Sequence, residues 1–442
     1  MIAKLQQLQN HKGFIKHFKN TGWLLVEKIL RIIVGLFIGV WIIRYLGPKQ
    51  FGNFSYALSF VGLFTVIATL GLDGIVIREL VKDESRRDEL IGTAFLLKLM
   101  GAFGVLALLA IAVNFTSNDT SINTLVFIIA SATIFQSFNV VDMYFQSKVL
   151  SKYVVYVNVT SLFLSSMVKI ALILNEASLI AFAWVILFDS FVLAIGFIYF
   201  YIKNISTFNV KHLKFSKSIA FELLRDSWPL ILSSIVISIY MKIDQVMIKE
   251  MMNAEAVGQY AAAVKLSEAW YFIPMVIASS LFPAIINAKK QSEELYYARL
   301  QKLYDLMVWM AIVIALPMTF LSDWLVELFY GGQYNQAGSV LMIHIWAGVF
   351  VFLGVASGKW LLTENLQIFS IINTTIGAVV NILLNYILIG NIGIQGSAWA
   401  TLIAYFMAAY LSLLFFKKTR VNFFKLSKSL LLINTLNVKK TS

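Results

Sequence analysis

Runs of about 20 apolar residues recur along almost the whole sequence, and short polar connections separate them. A helix of that length spans the roughly 30 Å hydrocarbon core of a bilayer. Of the 442 residues, 59% are hydrophobic and only 13% are charged, whereas a soluble protein carries about 25% charge. The pattern therefore predicts an all-α membrane protein that crosses the bilayer many times.

Hydropathy and turn residues predict twelve transmembrane helices, near residues 21–45, 54–80, 90–113, 121–141, 153–174, 179–202, 228–251, 258–284, 303–327, 337–362, 366–389 and 394–416. These divide the chain into an amphipathic N-terminal segment (1–20), a six-helix lobe (21–202), an inter-lobe loop (203–227), a second six-helix lobe (228–416) and a basic tail (417–442). The N-terminal segment lacks the apolar core and cleavage site of a signal peptide. We expect it to lie on the membrane surface.

Lys and Arg are concentrated in every second connection, for example Lys82, Arg86 and Arg87, whereas the opposite set of connections holds only Lys49. Because positive residues stay on the cytoplasmic side, both termini and the 203–227 loop are predicted to be cytoplasmic. The formal net charge of +13 is then explained by membrane orientation, and binding of nucleic acid is not needed to account for it.

Two stretches of the sequence resemble each other and lie six predicted spans apart: FGNFSYALSF at 51–60 and VGQYAAAVKL at 257–266. An even number of spans means that both halves insert in the same orientation, as in transporters built from two parallel repeats. The repeat predicts two six-helix lobes that face each other across a central cavity.

Several kinds of chemistry are disfavoured by the composition. The chain has no cysteine and only four histidines, and the histidines are too far apart in sequence for a metal site, so we expect no metal and no catalytic residues. The connections on the non-cytoplasmic side are short, such as NFTSND and GNIG. Because an enzyme of glycan assembly would need a larger loop to build its site, a transporter is the better prediction.

Two motif blocks resemble a known family. RYLGPKQFGNFSYALSFVGLF (44–64) and LGLDGIVIRELVKDE (70–84) are similar to the N-terminal signature of polysaccharide flippases, in the multidrug/oligosaccharidyl-lipid/polysaccharide exporter superfamily. IYMKIDQVMIKEMMNAEAVGQYAAAVKLSEAWYFIPMVIASSLFPAI (239–285) resembles their seventh and eighth helices. The nearest subgroup is the O-antigen flippases, and the last four spans match mainly in pattern.

The resemblance implies a function: an undecaprenyl-diphosphate-linked oligosaccharide is moved from the cytoplasmic to the periplasmic leaflet of the bacterial inner membrane by alternating access. It implies a cationic lumen and no cofactor, and it leaves open coupling to a proton or sodium gradient. A polysaccharide polymerase and a chain-length regulator are the expected partners. The alternatives are a multidrug/cation antiporter of the same superfamily, a lipid II flippase and an assembly scaffold.

Charged residues inside the spans are candidates for function, because a charge at the bilayer centre costs roughly 3 kcal/mol. The candidate ligands of the diphosphate are Lys28, Arg31, Lys98 and Lys242. Arg31 is favoured because a guanidinium offers forked donors to phosphate, although Glu27, one turn earlier, suits a purely structural pair. Together with Lys169, the charges of the first lobe are net basic, which favours an anionic substrate over cationic drugs.

The seventh and eighth spans form a hairpin that carries opposite charges. Counting from its turn places Asp244 level with Lys265, and Lys242 level with Glu268. We expect an Asp244–Lys265 pair, with Lys242 either reaching Glu268 or pointing into the lumen. The hypothesis is that Asp244, Lys265 and Glu268 couple or gate transport by exchanging partners when a carboxylate binds a proton or a cation. A charge-neutral hairpin with only a structural role is the alternative.

Most aromatic residues are expected to face lipid or the membrane interface. Tyr56, Tyr240, Trp270 and Tyr271 are instead candidates for stacking on sugar rings.

Overall fold

A computed structural model describes residues 12–204 and 214–431, and within them the chain forms helices and no strand. The α-helices are α1 (Lys12–Thr69), α2 (Asp73–Lys82), α3 (Arg87–Ala112), α4 (Thr120–Gln136), α5 (Val140–Ser147), α6 (Ser151–Leu174), α7 (Leu179–Asn204), α8 (Lys217–Met251), α9 (Ala254–Glu268), α10 (Phe272–Gln291), α11 (Glu293–Tyr330), α12 (Ala337–His344), α13 (Ala347–Thr363), α14 (Gln367–Ile392), α15 (Ile394–Ala409) and α16 (Arg420–Leu430).

Helix α1 is broken at Gly47, where φ is 68° and ψ is 171°. Glycine adopts positive φ without steric cost, and Pro48 after it lacks a backbone donor, so the helix cannot continue straight through this point. The apolar segment Gly22–Lys82 is 61 residues long, about twice the length that one crossing needs. Among the described residues, 11 helical segments are long and apolar enough to cross a membrane. Counting this broken segment twice gives the twelve predicted crossings.

Helix α8 begins at Lys217, well before the predicted start of the seventh span at 228. Its first turns are charged and form ion pairs with α2 and with the segment that follows α2. Arg78 Nη2 lies 2.5 Å from Asp226 Oδ2, and Arg86 Nη2 lies 3.2 Å from Glu222 Oε2. The described part of the expected 203–227 loop is therefore largely helical. Residues 205–213 lie outside the described residues, as do most of the N-terminal segment and the end of the tail.

The described residues of the chain divide into two compact units. Unit 1 comprises Met1–Tyr45 and Ala57–Ile235, and unit 2 comprises Leu46–Tyr56 and Val236–Ser442. Each has its own apolar core, around Leu72 and Phe145 in unit 1 and around Tyr304 and Leu353 in unit 2. Two lobes were predicted, although the segment Leu46–Tyr56 packs with the second one. The central cavity between lobes stays a prediction.

Within unit 2, the two halves of the sequence repeat contact each other through matching glycines. A Cβ placed on Gly52 would lie 1.6 Å from the carbonyl oxygen of Ala254, and a Cβ placed on Gly258 would lie 1.9 Å from the carbonyl oxygen of Pro48. Gly52 thus leaves room for the carbonyl of Ala254, which lies four residues before Gly258. Gly258 in turn leaves room for the carbonyl of Pro48, which lies four residues before Gly52. The contact is reciprocal, and it explains why both copies of the repeat carry glycine at this position.

We predict that Gly52→Ala and Gly258→Ala each lower the apparent melting temperature of the purified protein in detergent, by an overpacking cost of about 1–3 kcal/mol. Gly104→Ala is the matched control, because nothing lies within 4 Å of a Cβ at that helical position. Since alanine favours helix over glycine, the control is expected to be neutral or slightly stabilising. Equal melting temperatures for all three variants would contradict the close contact.

Candidate functional site

Asp244 on α8 is the best-defined polar site in unit 2, and its side chain is only 6% exposed. Its Oδ1 accepts a hydrogen bond from Asn385 Nδ2 at 2.6 Å. Its Oδ2 accepts hydrogen bonds from Tyr260 OH at 2.8 Å and Thr401 Oγ1 at 2.6 Å. The donors come from α9, α14 and α15, so one carboxylate joins four helices of unit 2.

The surroundings of Asp244 are rich in neutral oxygen atoms. Asn381 Oδ1 accepts a hydrogen bond from Asn385 Nδ2 at 3.1 Å. Asn385 Oδ1 is buried and has no hydrogen-bond partner among the described residues. Hard cations prefer oxygen ligands such as carboxylate and amide carbonyl groups. We refer to Asp244, Tyr260, Asn381, Asn385 and Thr401 as the Asp244 cluster; its chemistry suits a proton or a hard monovalent cation.

The expected Asp244–Lys265 pair is wrong. The Lys265 side chain is exposed, whereas Asp244 is buried and its oxygens are taken by neutral donors. Counting residues from the hairpin turn gives the depth of a side chain but not the direction in which its helix is rotated. Lys242 and Glu268 are both partly buried and interact electrostatically, but they do not form the ion pair that we considered.

In unit 1, the structure confirms the Glu27–Arg31 pair. Arg31 Nε and Nη2 donate to Glu27 Oε1 at 2.9 and 2.6 Å. The side chain of Arg31 remains 50% exposed, against 12% for Glu27, and Lys28 beside it is exposed. A guanidinium has five N–H donors, so Arg31 keeps donors that Glu27 does not use.

Lys98 is buried and paired, because its Nζ lies 2.6 Å from Asp73 Oδ1. Asp73 belongs to the LGLDG stretch and was not predicted as its partner. Asp142 on α5 also interacts electrostatically with Lys98 and Asp73. A phosphate would have to compete with Asp73 for this ammonium group.

The net-basic set expected within the spans of the first lobe, four cations against Glu27 alone, is incomplete because it omits other carboxylates. Asp189 is a further carboxylate of unit 1; it acts on Lys169 and accepts a hydrogen bond from Ser161 Oγ at 2.6 Å. The four cations of the predicted set are thus matched by four carboxylates: Glu27, Asp73, Asp142 and Asp189. Asp73 and Asp189 lie within the predicted spans 54–80 and 179–202, and Asp142 lies one residue beyond 121–141, so the sequence itself could have supplied them.

Tyr56 is not available for sugar stacking. It is fully buried, and its hydroxyl donates to Glu250 Oε1 at 3.1 Å. The neutral members of the Asp244 cluster were not singled out from sequence either. Asn381 and Asn385 are spaced by four residues in an otherwise apolar span, NILLN. That spacing places two amides on one helix face, and it is the signal that could have identified them.

Family comparisons agree with the fold. The family model described as polysaccharide biosynthesis protein matches residues 17–289, which is more than half of the chain. A second model, MatE, matches residues 229–387. Among curated proteins, the chain is 24% identical over 179 residues to the probable low-salt glycan biosynthesis flippase of Haloferax volcanii. That match spans 40% of this chain and 37% of the relative.

Solved structures share the fold at low sequence identity. An inward-facing multidrug resistance transporter of the MATE family, in the MOP superfamily, superposes with a TM-score of 0.71 at 15% identity, covering 90% of this chain and 96% of that one. The lipid II flippase MurJ in an inward closed conformation gives a TM-score of 0.70 at 17% identity, covering 94% of this chain and 92% of that one.

We predict that Thr401→Val lowers the apparent melting temperature, because it removes one donor from a buried carboxylate at a cost of about 1–3 kcal/mol. Thr375→Val is the control: it has the same change in shape, but the Thr375 hydroxyl is exposed and bonds only to Ile371 O of its own helix. In an Asp244→Asn background the effect of Thr401→Val should shrink, since the amide lacks the negative charge that strengthens this hydrogen bond. Equal effects in both backgrounds would contradict the contact.

Proposed function

Because the chain belongs to the polysaccharide biosynthesis protein family, whose model matches residues 17–289, we propose that it is a flippase that moves a lipid-linked glycan between the leaflets of a membrane. The family match carries the proposal. The transporter fold supports it, since both solved relatives are membrane transporters with the same helical architecture. A flippase is not an enzyme, and it needs no cofactor for chemistry.

The proposed substrate is an undecaprenyl-diphosphate-linked oligosaccharide, such as an O-antigen or a related surface polysaccharide unit. It moves from the cytoplasmic to the periplasmic leaflet of the bacterial inner membrane by alternating access, and both termini are cytoplasmic. Two observations support this: the similarity to a probable glycan biosynthesis flippase and the positive charge of alternate connections. A polymerase and a chain-length regulator are proposed partners.

Arg31 is the proposed anchor for the diphosphate, with Lys28 as its neighbour. Arg31 is half-exposed and keeps free N–H donors beside its pair with Glu27. A bidentate contact with phosphate oxygens uses donors of this kind. Lys98 and Lys242 have weaker roles in the proposal, because Lys98 is already paired with Asp73 and Lys242 is partly buried.

The Asp244 cluster is the proposed coupling element for a proton or sodium gradient. When ionised, Asp244 accepts three hydrogen bonds from three helices. A proton or a cation would reduce the negative charge of the carboxylate, and the three hydrogen bonds would then lose the charge assistance that strengthens them. The bound and unbound forms therefore favour different packing of α8 against its neighbours, which is the requirement for a two-state switch. Glu268 and Lys265 are proposed to modulate the electrostatic field at this cluster.

A multidrug/cation antiporter is the second candidate, and a lipid II flippase is a variant of the first. The MatE match at residues 229–387 favours the antiporter. The longer match to the polysaccharide family favours the glycan flippase. Transport of the two substrate classes decides between them.

We expect Arg31→Ala to slow flipping of a labelled undecaprenyl-diphosphate glycan in proteoliposomes about tenfold, the effect of losing a charge-assisted hydrogen bond. Arg31→Lys should restore part of the rate. Arg225→Ala is the control, because Arg225 is a 67% exposed surface cation. Wild-type rates for Arg31→Ala would rule out the anchor. Transport of a cationic dye without transport of the glycan would favour the antiporter.

We expect an imposed proton or sodium gradient to accelerate flipping by the wild-type protein. Asp244→Asn should abolish this acceleration, because an amide keeps a similar shape but does not titrate and binds cations weakly. Glycan binding measured without a gradient should be retained. An Asp244→Asn protein that still responds fully to the gradient would disprove the coupling role of this cluster.

A further inference from the structure

Unit 2 contains a cavity of about 330 Å³, near the lower limit of the volumes of small-molecule sites. Its polar wall consists of Tyr240, Tyr271, Ser357, Ser370, Asn373, Thr374 and Tyr405. The rest of the wall is aliphatic or glycine, with Phe350 as a further ring. None of the described lining residues carries a charge.

The cavity shares its helices with the Asp244 cluster. Tyr240 precedes Asp244 by one turn on α8, and Tyr405 follows Thr401 by one turn on α15. The rings of Tyr240 and Tyr405 lie 4.7 Å apart between centroids. A Cβ at Gly377 of α14 would lie 2.9 Å from Tyr240 Cε2, so this glycine lets the ring pack closely against α14.

Asn373, in the polar wall of the cavity, has a side-chain oxygen that lacks a hydrogen-bond partner among the described residues. The residue lies on α14 and is 5% exposed, and this oxygen, Oδ1, is buried. A buried acceptor without a donor destabilises the protein unless a ligand or a water supplies one. Asn373 lines the cavity, so a rotation of its amide would present this acceptor to a ligand hydroxyl or amide.

We propose that this cavity binds one neutral sugar ring of the transported glycan, an inference that rests on the proposed flippase function. Tyrosine rings present apolar faces to the C–H side of a sugar ring, while amide and hydroxyl groups bond to its hydroxyls. A diphosphate would be buried without a counter-charge, because none of the described lining residues is a cation. An isoprenoid chain would leave Asn373 unsatisfied.

Occupancy of the cavity is linked to the Asp244 cluster through shared helices. A sugar that packs against the touching rings of Tyr240 and Tyr405 constrains α8 and α15 one turn from Asp244 and Thr401. Coupling between two sites is reciprocal. Asp244→Asn is therefore expected to change sugar affinity, and sugar is expected to change the response of the wild-type protein to the ion.

Gly358 allows the cavity to be filled with little disturbance of its walls. It lines the cavity, and a Cβ placed there has no atom within 4 Å. Gly358→Phe should project its ring into the cavity and exclude a sugar. Gly104→Phe is the matched control, because Gly104 is not a lining residue and a Cβ there also has no atom within 4 Å. Glycan flipping is expected to fall about tenfold in the first variant and to stay at the wild-type rate in the second.

Binding itself can be measured by thiol labelling, because the natural chain has no cysteine. In the reconstituted full-length protein, Gly358→Cys places a single thiol in the cavity for reaction with N-ethylmaleimide. The probes are N-acetylglucosamine, galactose and rhamnose as neutral sugars, glucuronic acid as an anion and farnesol as a short isoprenoid. At least one neutral sugar should slow labelling about tenfold, and adding Asn373→Leu should remove most of that protection. Labelling of Gly104→Cys should not respond to any of the probes.

The outcomes separate this inference from the flippase proposal. Labelling that no neutral sugar slows, together with wild-type flipping by Gly358→Phe, overturns the sugar subsite and leaves the flippase proposal intact. Protection by farnesol alone assigns the cavity to a lipid chain and also overturns the subsite. A wild-type protein that flips no lipid-linked glycan overturns the proposed function instead.

Discussion

The hydrocarbon core of the membrane cannot hydrogen-bond to a polypeptide, and the fold follows from that constraint. Every backbone group inside the core must find a partner within the protein, which leaves helices and closed barrels. The apolar runs of about 20 residues in this chain fit helices. The break at Gly47 and Pro48 shows how this requirement is managed locally, since a helix that must bend does so where a glycine can take φ of 68°. Because water is absent there, each polar side chain inside a span also needs a hydrogen-bond or ion-pair partner within the protein.

Asp244 has partners of a different kind from those of Glu27 and Asp73. In unit 1, Arg31 pairs with Glu27, and the buried Lys98 pairs with Asp73, whose side chain is 64% exposed. In unit 2, Asp244 is satisfied by neutral donors from α9, α14 and α15. A carboxylate in an ion pair is fixed in its ionised form by its partner. A carboxylate held by hydroxyl and amide groups can gain a proton or a cation at a lower free-energy cost, because no lysine or arginine has to be displaced. This difference is why the coupling role is proposed for unit 2.

In unit 2, the Asp244 cluster and the neighbouring cavity place polar residues next to each other along α8 and α15. Tyr240 and Tyr405 belong to the cavity, and each lies one helical turn from a residue of the cluster. Any movement of α8 or α15 that rearranges the carboxylate also changes the shape of the cavity. Packed helices shift between discrete arrangements and do not deform gradually, so the proposed ligand and ion sites would act on the same equilibrium.

The sequence alone determined the class, the number of crossings, the repeat and the family, because each depends on patterns that run along the chain. It also identified the Glu27–Arg31 pair, which needs only the periodicity of one helix. The tertiary structure alone decided the partners of Asp244 and Lys98 and the contact between Gly52 and Gly258. Those contacts join residues far apart in sequence and depend on how each helix is rotated about its axis. Counting residues fixes the depth of Asp244 in the membrane, but only the packing of α9, α14 and α15 around it turns its carboxylate away from Lys265 and toward Tyr260, Asn385 and Thr401.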